Sequence, residues 1–178
     1  MLQRPTKLLF TLLMFLPMAA HAHPGGSDGS HAFLQGVMHP LTGIDHLVFM
    51  LGLGFYAGFM GRRIAPRLGL VSMVAIIAGS APWTFEIPSA AIESGVLASL
   101  ALMGVALVYR RLLPVASVLP AAFMLSFVHG LAHGQTGYTG MDRAIFVAGL
   151  MLTSGVLFAL ASAKNPAFQN GAVADRTA

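Results

Sequence analysis

A chain of 178 residues with 56% hydrophobic and only 9% charged residues cannot cover the surface of a water-soluble domain, where about a quarter of residues are usually charged. The absence of cysteine excludes disulfides, thiolate metal sites and cysteine nucleophiles. A net charge of +4 does not point to nucleic acid, because the bases flank apolar runs and form no patch interleaved with aromatics. Lipid is therefore the solvent, and the expected fold is all-α, a polytopic transmembrane helical bundle.

Residues 1–22 read as a signal peptide. Arg4 and Lys7 form a basic start, Leu8 to Met18 a short apolar core, and Ala20-His21-Ala22 an A-x-A cleavage site. The apolar core is too short for a comfortable span; an uncleaved anchor is the alternative. Cleavage after Ala22 would expose His23, whose α-amine and imidazole together can chelate a transition metal. The plainer reading is a solvated histidine on a flexible segment, Gly25 to Ser30, within a periplasmic stretch 23–35.

Five apolar stretches follow: Gly36–Met60, Leu68–Phe85, Ser94–Tyr109, Leu113–His133 and Ala144–Ala163, making a transmembrane domain over 36–163. Each is near, or slightly short of, the roughly 20 residues that cross the hydrocarbon. Gly52, Gly54 and Gly58 in the first, and Gly149 and Gly155 in the last, would let backbones approach closely. Trp83 and Phe85 suit an aromatic belt. Lys164–Ala178 is expected to be a mobile, cytoplasmic polar tail. Arg62, Arg63 and Arg67, then Arg110 and Arg111, then Lys164 and Arg176 alternate along the chain with Asp28, Glu86, Glu93 and Asp142. The positive-inside rule puts the bases in the cytoplasm. A signal peptide independently puts the mature N-terminus in the periplasm, and five spans return the C-terminus inside. The expected location is a bacterial inner membrane, with the embedded polar residues in its outer half.

Those polar residues form two groups. In His39-Pro-Leu-Thr-Gly-Ile-Asp45-His46 the two histidines lie seven apart, hence about 10 Å along an unbroken helix, too far to share an ion. Pro40 and Gly43 could break the helix, as broken helices do in transporters. Alternatively Pro40 is the first residue of a helix and His39 stays at the interface. Asp45 within a span must face a cavity or partner; a structural hydrogen bond from a histidine on another helix would satisfy it equally. The second group is His129-Gly-Leu-Ala-His133-Gly134. Histidines at i and i+4 share one face about 6 Å apart and can chelate a divalent ion; the competing reading is an interfacial pair at a helix C-terminus closed by Gly134. Glu93, at the outer mouth of the third stretch, is a secondary candidate, as is His23. Mixed nitrogen and oxygen donors suit nickel, cobalt or zinc rather than magnesium or calcium. The methionines read as packing, with thioether ligation of copper left open. The sequence has no Walker loop, nucleophile elbow or dinucleotide fingerprint, which favours a protein that is not an enzyme.

At these residues the chain resembles the HupE/UreJ family. The resemblance rests on His39-Pro40-Leu41-Thr42-Gly43-Ile44-Asp45-His46-Leu47 and His129-Gly130-Leu131-Ala132-His133-Gly134, behind a signal peptide that ends before His-Pro-Gly. Ile92-Glu93-Ser94-Gly95 adds an acidic start to the third span. It implies a nickel or cobalt permease working by secondary transport or facilitated diffusion, serving hydrogenase, urease or cobalamin maturation. His39, Asp45, His46, His129 and His133 would then handle the metal, with no permanently bound cofactor. Gln135 stands where members often carry glutamate, and Thr153-Ser154-Gly155-Val156-Leu157-Phe158 lacks a histidine that many have. Many members also continue into a sixth span, where this chain turns polar.

Neutral imidazole binds metal, so uptake by such a permease should fall as pH drops through the ordinary histidine pKa, about 6.5. Two other readings use the same residues. A membrane haem protein would take histidines on two helices as axial ligands. A metal-binding accessory protein would bind without transport. The partners expected are thus a divalent ion and the bilayer, with the homo-oligomeric state left open.

Overall fold

A computed structural model describes residues 29–82 and 86–165. Among these residues the chain forms α-helices and no strands: α1 (Gly29–Thr42), α2 (Ile44–Met60), α3 (Ala65–Gly79), α4 (Ser89–Val108), α5 (Val115–Gly134) and α6 (Gly140–Lys164). By length and composition α4, α5 and α6 can each cross a membrane, and α1 with α2 can form a fourth span bent by 72°. At 15 residues α3 is apolar but short, about 22 Å against a hydrocarbon layer of about 30 Å. Leu70, Leu97, Leu102, Val105 and Leu160 stay exposed, as expected where lipid is the solvent.

The first expected span is two helices. Pro40 lies inside α1 and is buried, and its missing N–H deprives the Gly36 carbonyl of its helical donor. Thr42 Oγ1 turns back to the carbonyls of Met38 and His39, at 3.1 and 3.3 Å. The backbone then leaves the helical region at Gly43, with φ −80° and ψ 100°. Pro40 is therefore not the first residue of a helix, since α1 has begun eleven residues earlier at Gly29. That early start also makes Gly29 and Ser30 helical, where the sequence suggested the end of a flexible segment.

Two other expected boundaries shift. Helix α3 stops at Gly79 rather than running to Phe85, because Pro82 disfavours helix at the residue before it and supplies no N–H. Trp83, Phe85, His23, the signal peptide and the tail beyond 165 lie outside the described residues. The tail does not begin loosely at Lys164. Asn165 is fully buried and its Nδ2 donates to the Phe55 carbonyl at 2.7 Å. Asn165→Ala should lower stability by about 1–2 kcal/mol through the lost bond and the space left against Gly58, measurable as a lower unfolding temperature in detergent.

Close backbone contact fixes the packing. A Cβ on Gly36 would strike the Phe146 carbonyl of α6, and one on Gly149 the Phe33 carbonyl of α1. Gly79 and Gly130 make the same mutual approach between α3 and α5. Gly54 and Gly58 face α6 as expected, whereas Gly52 meets only side chains of α4 and Gly155 has no neighbour within 4 Å.

The contacts also give direction. Gly54 meets Phe158 while Gly58 meets Ser162, so α2 and α6 run parallel. Gly52 meets Met103, and Arg110 stacks over the Phe59 ring at 4.1 Å, so α4 runs with them. The C-terminal ends of these three helices gather Arg62, Arg63, Arg110, Arg111 and Lys164 at one end of the bundle.

Candidate metal-handling site

The break at Gly43 places His39 in the last turn of α1 and His46 in the first turn of α2. Their ring centroids come to 6.4 Å, a proximity that an unbroken helix would forbid. Helix α5 turns one stripe inward, with Val118, Ala122, Ser126, His129 and His133 all buried, the spacing of a single helical face. His133 meets His39 at 4.7 Å and His46 at 5.1 Å between centroids, and His129 meets His46 at 5.7 Å. Four imidazoles from three helices thus form one cluster. His46, His129 and His133 are buried, while His39 is half-buried and leads outward. Phe146 closes one side against His39 and His133. Phe49 stacks on His129 at 4.0 Å.

Four nitrogens of the buried rings have hydrogen-bond partners. His133 Nε2 and His46 Nδ1 are 3.2 Å apart and share one proton. His46 Nε2 lies 2.9 Å from Ser154 Oγ. His129 Nε2 lies 2.8 Å from Ser99 Oγ. Ser99 is the eleventh residue of the twenty in α4, about 15 Å along a helix of about 30 Å. The cluster therefore extends from the non-basic end of the bundle to its middle, deeper than a surface site.

Asp45 is half-buried in the first turn of α2, where a carboxylate complements the helix dipole. A Cβ on Gly43 would sit 3.3 Å from Asp45 Oδ1 and 3.8 Å from His39 Nε2; carboxylate and imidazole thus flank the break. No histidine donates a hydrogen bond to Asp45 among the described residues. Glu93 is exposed near the start of α4, six residues before Ser99 and not drawn into the histidine cluster. His39, Asp45, His46, His129 and His133 are thus brought together, and Glu93 is not. Among the described residues no three His, Asp or Glu side chains surround one point as a closed metal cage.

Below the histidines, toward the basic end, a cavity of about 80 Å³ lies among α2, α3, α4 and α5. Leu53, Tyr56, Met103, Ser117, Ala122 and Leu125 contribute to its wall. Met103 lies one turn beyond Ser99, and Ala122 continues the stripe of His133, His129 and Ser126.

From residue 11 to residue 176 the chain matches the model of the HupE / UreJ protein family. The chain belongs to the HupE/UreJ family. It is similar to Protein HupE of Rhizobium leguminosarum bv. viciae, with 28% identity over 161 residues, which cover 87% of this chain and 81% of that protein. No solved structure matches it. This family is linked to nickel and cobalt handling for hydrogenase and urease, and both family motifs fall inside the histidine cluster.

Sequence reading missed Ser99, Ser154 and Phe49. Isolated serines in apolar helices read as small packing residues, and no local pattern marks the two that reach a histidine. Ser154 falls in the very stretch noted for lacking a histidine, and it contributes a hydroxyl to His46 instead. Gln135 donates through Nε2 to the Ile87 carbonyl at 2.9 Å. Gln135→Glu removes that donor. Because the bond is exposed, the expected loss is small, below about 1 kcal/mol, read as a lower unfolding temperature.

Proposed function

We propose that the protein is an inner-membrane permease for a divalent transition metal, nickel or cobalt, with zinc also suited to the donors. The observation that carries this reading is the pair His46 Nδ1 and His133 Nε2, on two different helices, 3.2 Å apart. An ion taking the place of their shared proton, which would move to the other nitrogen of its own ring, would at about 2.0–2.1 Å from each nitrogen subtend roughly 100°, between the octahedral and tetrahedral angles. His39 and Asp45, at the half-buried break, would capture the hydrated cation. His133 and His46 would strip water from it, and His129 would pass it inward.

An arrangement of pairs rather than a closed cage supports passage, because conduction requires sites weak enough to leave. Ser126 continues the path on the same stripe as His129, with a buried hydroxyl that has no hydrogen-bond partner. The cavity beyond it leads toward the bases. Topologically, the basic end would face the cytoplasm and the histidine end the periplasm, following the positive-inside rule. Delivery to hydrogenase, urease or cobalamin maturation is the use that family membership suggests.

Uptake of radioactive nickel and cobalt by cells producing His46→Ala or His129→Ala tests the assignment. Both variants should fall to the level of cells lacking the protein. Unchanged uptake in both would falsify it. A Soret band in the purified protein would instead favour haem binding.

A further inference from the structure

The hydroxyl of Ser99 makes two short contacts, and it has one proton. Its Oγ lies 2.7 Å from the Val96 carbonyl and 2.8 Å from His129 Nε2. Two oxygens 2.7 Å apart without a proton between them would set lone pair against lone pair, so the hydroxyl proton points at Val96. The contact with the imidazole must then be donated by the ring. His129 therefore carries its proton on Nε2, and its Nδ1 keeps the only free lone pair.

His46 differs. The Ser154 hydroxyl has no second acceptor among the described residues, so it can donate to His46 Nε2 or accept from it. The proton between His46 and His133 can sit on either nitrogen accordingly. One histidine is locked and its neighbour is not, and the difference traces to the serine on α4.

We propose that Ser99 is a positioning residue that holds His129 in the Nε2–H tautomer and so assigns Nδ1 as the nitrogen offered to the metal. The inference rests on the metal-handling reading of the cluster and specifies which atom of it binds. Helix α4, which contributes no histidine, thereby controls the donor set through one hydroxyl. Phe49 stacked on the ring face holds the ring plane, which leaves the tautomer as the freedom that Ser99 fixes. Partners that orient a ligating histidine in this way typically raise metal affinity about 10–100-fold.

The test is nitrogen NMR of the full chain labelled at histidine, in bicelles, above the histidine titration range, with the His129 signals assigned by their loss in His129→Gln. Metal-free wild type should show Nε2 protonated and Nδ1 bare. Ser99→Ala, which deletes only the hydroxyl, should show a mixture of tautomers, and Ser99→Thr should restore the single form. Zinc, a diamagnetic probe, should shift Nδ1 of His129 in the wild type and bind Ser99→Ala about 10–100-fold more weakly. A single Nε2–H form in Ser99→Ala, or a zinc shift on Nε2, overturns the inference. If lock and Nδ1 coordination are found but the wild type carries no ion across a liposome membrane, the permease reading fails and this inference is supported.

Discussion

Replacing His46 by alanine should abolish metal movement and also weaken the bundle. The ring is 1% exposed and engaged at both nitrogens. Its removal strands the Ser154 hydroxyl and His133 Nε2, and each buried polar group left without a partner costs about 1–3 kcal/mol. It also leaves His133 alone where the cation would need two nitrogens. The loss in metal affinity should therefore exceed the roughly 10–100-fold typical of losing an outer partner. His46→Gln separates the two effects, because an amide can still bond Ser154 while failing as an imidazole donor. Thermal unfolding near the wild type together with lost binding is the expected pattern for glutamine. Isothermal titration with nickel on both variants checks it; wild-type affinity in either would refute the role given to His46.

A comparably large effect is expected from a single methyl group at Gly130. There a Cβ would collide with the Ile76 carbonyl and lie 2.8 Å from the Gly79 Cα. These are backbone atoms of α3, so no side chain can swing aside. The helices must part, and overpacking of this kind costs about 1–3 kcal/mol or more. Because Gly130 sits between His129 and His133, parting α3 from α5 also displaces both histidines. Gly130→Ala should therefore lower both the unfolding temperature and the metal affinity. Gly155→Ala is the matched control: with nothing within 4 Å of its Cβ position, it should be neutral or raise helix stability by about 0.5–1 kcal/mol. Equal behaviour of the two variants would mean that the α3–α5 contact is not what the geometry makes it.

Much of this was legible in the residues themselves, because membrane helices declare themselves by length and polarity. The last three expected spans match α4, α5 and α6 to within a few residues at most ends. The i, i+4 spacing of His129 and His133 put both on one buried face, as read. Less was legible where local signals compete. Pro40 permitted either a helix start or a break, and only the packing of α1 on α6 decides, since Gly36 and Gly149 hold α1 in place before the bend. A polar run from Lys164 looked like a loose tail, yet Asn165 fills the gap left by Gly58 on α2, distant in sequence but adjacent in space. Such long-range fits leave no pattern in the sequence. For the same reason the serines went unread: Ser99 and His129 are thirty residues apart, and Ser154 and His46 are 108 apart.

Hydrophobic patterning thus shows where the helices run, and the two histidine motifs show where polarity is tolerated. What the fold adds is proximity: the broken helix brings His39 and His46 to His133 and His129 in one cluster, with a separate cavity farther along α5.

The most direct measurement is nickel influx into liposomes containing the purified full chain and a trapped metal-sensitive dye. Influx should rise with external nickel and disappear in His46→Gln at preserved folding. Influx equal in wild type and His46→Gln, or a wild type that binds nickel and passes none, would contradict the permease reading.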